Sequence, residues 1–517
     1  MLLKAKQIDN LITMRTKSLF IFPLLATFLS SCGFGGTHII NYDSTSLIPI
    51  DPQQPDSGDG YQKISEFAFN LQDVKKTTET NGLSSKGDSK LLVVPVQFSD
   101  APEWTNAKLE VIQRAFFGEA GETSWQSVAS YYKTSSYGNL NISGEVAPVF
   151  KPNVTIAEAS SYVKDDNPAP DAVVTSNFKE DKNYDELRKK YDIDNDGYVD
   201  SVAFIYSNTP KSQNGYWAWV YWTDEGRSSE LPNVNTYLWM SYSFFTGTRY
   251  AGYGSGIDAH TAIHEVGHLL GLDDYYLYQD DPYEKTFDPS GGIEMHSYNI
   301  GDDNIYSKFA LGWINPYYVK TEKSVSLKLR SSALYGDAII LNDSWNMNSM
   351  DEYLIIEYYT PQGMNEKDAL QSYSANTTPG TDKMYTVNGF RIYHIDSRLV
   401  EIEARGRATR YVDTLGDKYY AVGASNTPER SYLSDFQSMQ NAIDYKYVHL
   451  LESNGTNTFK KGSFATNATL FKDGSSFIAS SEFFPNGDKF NNGTTVGYKM
   501  TVQECTSDFG EITITKI

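Results

Sequence analysis

The chain has 517 residues, more than one ordinary domain holds, and 40% hydrophobic against 21% charged residues supply apolar material for two or three packed cores. A formal net charge of −21 disfavours nucleic acid as a partner, because little here would neutralise phosphates; it suits solubility first, and an exported protein that meets divalent cations second. Only Cys32 and Cys505 are present, which excludes a disulfide framework, and 38 tyrosines favour a β-rich protein with an amphipathic exterior.

Lys4, Lys6, Arg15 and Lys17 form a basic start, Ser18 to Leu29 is mostly apolar and uncharged, and Leu29-Ser30-Ser31-Cys32-Gly33 follows. This is the layout of an export signal, and the apolar stretch is too short to stay in a bilayer as a spanning helix. The Leu-Ser-Ser-Cys ending resembles the lipobox of bacterial lipoproteins. The resemblance implies that Cys32 is acylated, becomes the new N-terminus and anchors the protein on the outer face of a bacterial cell membrane. The plainer alternative is a cleaved signal with an incidental cysteine. Met14-Arg15-Thr16-Lys17 would also open such a signal, so Met14 competes with Met1 as initiator. Residues 33–86 are rich in Gly, Ser, Asp, Pro and Asn and read as a flexible tether or short pro-segment, with a possible short helix between Tyr61 and Glu79.

The folded region opens with Leu91-Leu92-Val93-Val94-Pro95-Val96-Gln97-Phe98, a buried strand in which Pro95 raises the question of an edge. A helical pattern over Ala107 to Phe117 follows. Ser127 to Tyr132 then leads into a turn at Ser136-Tyr137-Gly138 and an alternating strand at Leu140-Asn141-Ile142-Ser143.

Next comes Asp192-Ile193-Asp194-Asn195-Asp196-Gly197-Tyr198-Val199-Asp200. The alternating carboxylates of Asp192, Asp194 and Asp196 can converge on one hard cation, Gly197 falls at the sharp turn of an EF-hand loop, and the Tyr198 carbonyl and Asp200 take the next two ligand positions. Position twelve is Ala203, not glutamate, and Ser201 to Tyr206 reads as a strand. The expected ion is therefore a structural calcium; the alternative is an acidic turn without an ion.

Ile263, Val266, Leu269 and Leu270 recur at helical spacing in Thr261-Ala262-Ile263-His264-Glu265-Val266-Gly267-His268-Leu269-Leu270. His264 and His268, four apart, face the same way and can grip one zinc ion; Glu265 sits beside them as a general base rather than a ligand. Such a His-Glu-x-x-His spacing arises by chance in roughly one chain of this kind in 200, so two unrelated surface histidines are a poor account of it. Gly271 can end the helix in the left-handed conformation and turn Asp273 and Asp274 back towards the metal. His260, near the helix start, reads as supporting or structural.

The run His-Glu-x-x-His-x-x-Gly followed by Asp274 and the tyrosines Tyr275 and Tyr276 resembles the immune inhibitor A family of secreted bacterial metallopeptidases, within the metzincin clan. The resemblance implies a third zinc ligand ten residues after the first histidine, which is Asp274. It also implies an apolar methionine turn in Gly291-Gly292-Ile293-Glu294-Met295-His296-Ser297-Tyr298-Asn299, with Met295 beneath the ligands and Tyr298 as an oxyanion stabiliser, although the offset of Tyr298 departs from the usual one. Gly301-Asp302-Asp303-Asn304 and Leu311-Gly312-Trp313 continue the likeness, and Asp-rich loops like that at 192–200 occur in the same family.

Beyond about residue 316 the pattern changes. Val325, Leu327 and Leu329 alternate with polar residues, and Tyr353 to Tyr359, Phe390 to Ile395 and Ile512 to Ile517 read as strands. His394 and Asp396 suggest a hydrogen-bonded structural pair more than a second metal site. The fold expected is α+β: a metzincin-like mixed α/β catalytic domain with a zinc-binding helix over 87–320, and a mainly antiparallel β region over 321–517, a sandwich in outline. The function expected is a membrane-anchored zinc metalloendopeptidase acting on protein or peptide. The rivals are a surface lipoprotein that binds host glycan or protein around a vestigial zinc site, and a zinc scavenger, for which seven histidines are few.

Overall fold

The computed structural model describes residues 60–64, 71 and 82–517, apart from 165–166, 224, 247–255, 278–287, 348, 371–383, 398–400, 405–406 and, save Asn426, 411–444. The export signal and Cys32 lie outside the described residues. The protein is α+β, with several sheets and helices set among them. Two compact units divide it: one within residues 79–272, the other built from 273–517 together with residues of the 42–78 stretch. Among the described residues no helix is long and apolar enough to cross a membrane.

The first unit is organised by a five-stranded sheet. Gly87–Val96 runs parallel to Leu140–Val146 on one side and to Val202–Tyr206 on the other. Thr236–Ser241 continues the parallel set beyond Val202–Tyr206, and Trp219–Trp222 closes that edge antiparallel. The unbroken apolar run from Leu91 to Val96 is explained by this central place, since a strand covered on both faces has no polar side to show. Pro95 does not mark an edge. The pairing with Leu140–Val146 ends at Val93↔Val146, so the missing N–H of Pro95 falls past the end of that neighbour's register. Val94, Phe178, Phe204, Tyr237 and Trp239 belong to the core on one face of the sheet.

Helices punctuate the loops as their caps direct. Thr105 caps Asn106–Phe117, and Ser127 with Ser130 forms a capping box at the head of Val128–Ser135. Tyr137 (φ 56°) and Gly138 (φ 79°) then reverse the chain into Leu140–Val146. The helix His260–Leu270 packs on Thr236–Ser241, Trp219–Trp222 and Val128–Ser135, and the Tyr132 hydroxyl donates to the Ile263 carbonyl at 2.6 Å. Ile263, Val266, Leu269 and Leu270 are all buried, each burial contributing about 1.5–3 kcal/mol before entropy is charged.

The second unit holds a six-stranded sheet in the order Tyr61–Lys63, Tyr317–Val319, Ala338–Leu341, Glu352–Tyr359, Gly389–Asp396, Val448–Leu450. A four-stranded antiparallel sheet, Ser324–Arg330, Phe509–Lys516, Tyr498–Cys505 and Ser476–Ile478, shares a core with it through Leu327, Leu329, Ile512, Ile514, Leu354 and Ile356. Only Tyr317–Val319 with Ala338–Leu341 pairs parallel within these two sheets. The change of composition near 320 thus falls inside one sheet, while the boundary between units falls at Leu272–Asp273.

Part of the stretch read as a tether is built into this sheet. Tyr61–Lys63 is a strand, not the start of a helix, and pairs antiparallel with Tyr317–Val319. Its side chains account for the choice: the Tyr61 ring meets that of Tyr317 edge-on at 6.0 Å, and the Lys63 ammonium lies 4.2 Å from the centre of the same ring.

Candidate metal centre

The helix His260–Leu270 ends where its sequence requires. Gly271 takes φ 101° and ψ 13°, and the N–H of Leu272 returns to the Gly267 carbonyl at 3.0 Å. This reversal sets the Leu272 carbonyl 2.8 Å from His268 Nδ1. A carbonyl can only accept, so Nδ1 carries the proton and Nε2 presents its lone pair. Nε2 of His268 lies 3.1 Å from Nε2 of His264, and the two rings stand at 89°.

Two nitrogens bound to one zinc at about 2.0–2.1 Å in tetrahedral geometry lie about 3.3 Å apart. The observed spacing matches that need. The carbonyl behind His268 also supplies the outer partner that fixes a ligand's tautomer. Glu265 follows His264 on the same helix and is buried. At the head of the helix His260 is held by Asp258, which accepts from both its backbone N–H (2.9 Å) and its Nδ1 (2.8 Å), and by Trp125, whose ring stacks on it at 4.5 Å. His260 therefore serves the helix end.

Within the 79–272 unit, His264 and His268 thus form a pair of ring nitrogens that could hold a metal ion. In the 273–517 unit Asp274 is buried, and so is His296, the residue directly after the methionine of the turn. Met295 is fully buried and Tyr298 half-buried. The turn before them depends on two left-handed glycines: a Cβ on Gly291 (φ 80°) would come 2.7 Å from Ala465, and one on Gly292 (φ 73°) 2.6 Å from Phe464. Asp288 accepts from Ser290 N at 2.9 Å and from the Ser297 hydroxyl, and burial pushes its carboxyl up to about 6. Burial, with Asp288 and Asp303 nearby, raises the Glu294 carboxyl well above its ordinary range.

The acidic loop also converges, though not on all five expected groups. Carboxylate oxygens of Asp192, Asp194 and Asp200 lie within 4.8 Å of one another. Asp196 instead accepts from Tyr198 N at 2.9 Å and sits 3.4 Å from the Arg227 guanidinium. Asp192 accepts the N–H groups of Asp196 (2.9 Å) and Gly197 (3.2 Å), with Gly197 at φ 89°. Burial, then the charges of Asp194, Asp192 and Asp196, push Asp200 up to about 7.

His394 and Asp396 share a face but not a bond. His394 Nε2 meets Glu352 at 3.0 Å, whereas Asp396 accepts from Asn491 Nδ2 at 2.9 Å. Glu352 also accepts the N–H of Asn492 at 3.2 Å, so this cluster ties a loop to the sheet. Compared with models of known protein families the chain matches none, and it matches no curated protein.

Proposed function

We propose that this protein is a zinc metalloendopeptidase of the immune inhibitor A type, anchored through Cys32 to the outer face of a bacterial membrane. The observation that carries the reading is the pair of Nε2 atoms 3.1 Å apart on a helix where the residue directly after the first histidine is a buried glutamate. A mixed α/β unit around that helix supports the metzincin-like assignment.

His264 and His268 would hold the ion, with Asp274 as the third ligand that the motif implies. Zinc supplies Lewis acidity, which activates water at neutral pH and polarises a carbonyl. Glu265 takes the proton of the attacking water and passes it to the leaving amine. The Leu272 carbonyl keeps His268 in the ligating tautomer. Met295 gives the site an apolar floor, and Tyr298 donates to the developing oxyanion. Asp192, Asp194 and Asp200, with the Tyr198 carbonyl, would hold a structural calcium, while Asp196 faces Tyr198 N and Arg227.

The test is Glu265→Gln in the full chain, assayed on casein or a purified peptide beside a measurement of zinc per chain. Zinc should stay bound and turnover should fall by a factor of roughly 10²–10⁴. Near-normal turnover in the variant would refute the mechanism. Zinc binding without proteolysis in the wild type would favour a surface binding protein with a vestigial site.

A further inference from the structure

We infer that Tyr132 is a positioning residue for the metal centre: its hydroxyl grips the Ile263 carbonyl and so keeps the helical turn that carries His264, Glu265 and His268 formed before any ion arrives. The inference rests on the zinc reading above and adds to it what holds the ligand-bearing turn. Every residue it uses lies within the 79–272 unit. The contact is a buried hydrogen bond of 2.6 Å that joins groups 131 residues apart in the chain.

The turn needs outside support because of its own sequence. Gly267 stands between the two histidines, and glycine in a helix interior favours the unfolded chain through its backbone freedom. An α-helix assigns the Ile263 carbonyl to the Gly267 N–H, so the bond most exposed to that weakness ends on the atom that Tyr132 grips. At the far end, the Leu272 N–H returns to the Gly267 carbonyl at 3.0 Å. The turn is thus held at both ends by groups outside it.

Tyr132 is itself a rigid anchor. It lies in Val128–Ser135, whose start is fixed by the Ser127–Ser130 capping box, and the Ser127 hydroxyl also donates to the Gly118 carbonyl at 2.5 Å. Tyr132 is fully buried, and its ring meets that of Tyr131 edge-on at 5.0 Å. Tyr131 meets Trp125 at 5.5 Å, the indole that stacks on His260. The helix start and the ligand turn therefore rest on one aromatic wall. Phenylalanine would fill nearly the same space, so what tyrosine adds is the O–H and its bond to the helix backbone. Metal affinity falls in proportion to the fraction of molecules whose site is formed, so a bond that keeps the turn formed raises affinity without touching the ion.

The experiment is a zinc titration of the full chain against a competing chelator, with the cobalt absorption spectrum and amide hydrogen exchange, comparing wild type with Tyr132→Phe and His264→Ala. Tyr132→Phe should weaken zinc binding roughly 3- to 10-fold, about what one lost hydrogen bond is worth. It should also shift the cobalt bands and speed amide exchange at Gly267 in chelator. A tyrosine that only stabilised the fold would lower the melting temperature and leave affinity and spectrum alone. Wild-type zinc affinity and cobalt spectrum in Tyr132→Phe, with binding lost in His264→Ala, would therefore overturn the inference and leave the zinc reading standing. Absence of binding in the wild type would overturn both. Because Tyr132→Phe could impair folding, the wild type carries a second test. In chelator its amides at 264–268 should already be protected from exchange, and a turn protected only once zinc is added would refute the proposal.

Discussion

Replacing Gly271 by alanine probes the joint on which the candidate metal centre turns. The residue sits at φ 101°, in the left-handed region, where a Cβ costs roughly 1–2 kcal/mol. Alanine also narrows the unfolded ensemble, but that gain, about 0.4–1 kcal/mol, is realised only where the native conformation suits it. The net loss should be about 1 kcal/mol, which for a unit of this size lowers its melting temperature by about 2–4 °C. A second effect should accompany it. The reversal at Gly271 sets the Leu272 carbonyl against His268 Nδ1 at 2.8 Å, so a strained cap loosens the tautomer lock and zinc should be held more weakly. Gly271→Asn should recover part of both losses, since asparagine tolerates this conformation better. Calorimetry and zinc titration read the two effects separately. An alanine variant as stable as the wild type, or an asparagine variant worse than alanine, would refute the reasoning.

His264→Ala and His268→Ala should each abolish zinc retention after dialysis; Asp274→Ala should weaken zinc clearly and Asp273→Ala less, and equal losses or the reverse order would show that the third ligand was wrongly assigned. Calcium should raise the melting temperature by binding the native state, and Asp194→Ala with Asp196→Ala should remove that rise while zinc content is unchanged. Because Asp200 is pushed up to about 7 in the folded protein, its contribution without calcium is full below the unfolded value of about 4 and is lost as pH rises from there through about 7. Calcium should flatten that decline, and a melting curve with the same pH slope in calcium and in chelator would count against the site. Cys32→Ala should release the protein from membranes and abolish labelling by a fatty-acid analogue; labelling that persists would show that the anchor lies elsewhere.

What the sequence showed plainly were the features whose cause is local. The His264 helix, its glycine stop, the helical pattern over Ala107 to Phe117 and the alternating strand at Val325, Leu327 and Leu329 all follow from spacing within a few residues. What stayed hidden was set by partners remote in sequence. Tyr61–Lys63 has no strand signal of its own and becomes one only against Tyr317–Val319. Pro95 is tolerated in an interior strand because of where a neighbour's register stops. Asp196 fits the loop pattern, yet Arg227 lies beside it, an arrangement no spacing rule contains.

The strand Tyr61–Lys63 has a bearing on how the protein is made and handled. It is complete early in synthesis, but its partner Tyr317–Val319 emerges only after the whole of the intervening unit, so the outer strand of the six-stranded sheet must wait for the rest. A recombinant chain started at residue 87, where the apolar run begins, would strip that strand away. It would leave the Tyr317–Val319 edge open to pairing between molecules, a direct route to aggregation. A chain started ahead of Gly60 keeps the edge covered. The Gly60 carbonyl, which accepts the Lys320 N–H at 3.0 Å, is the first described bond of the sheet, and a sound preparation of the protein has to include it.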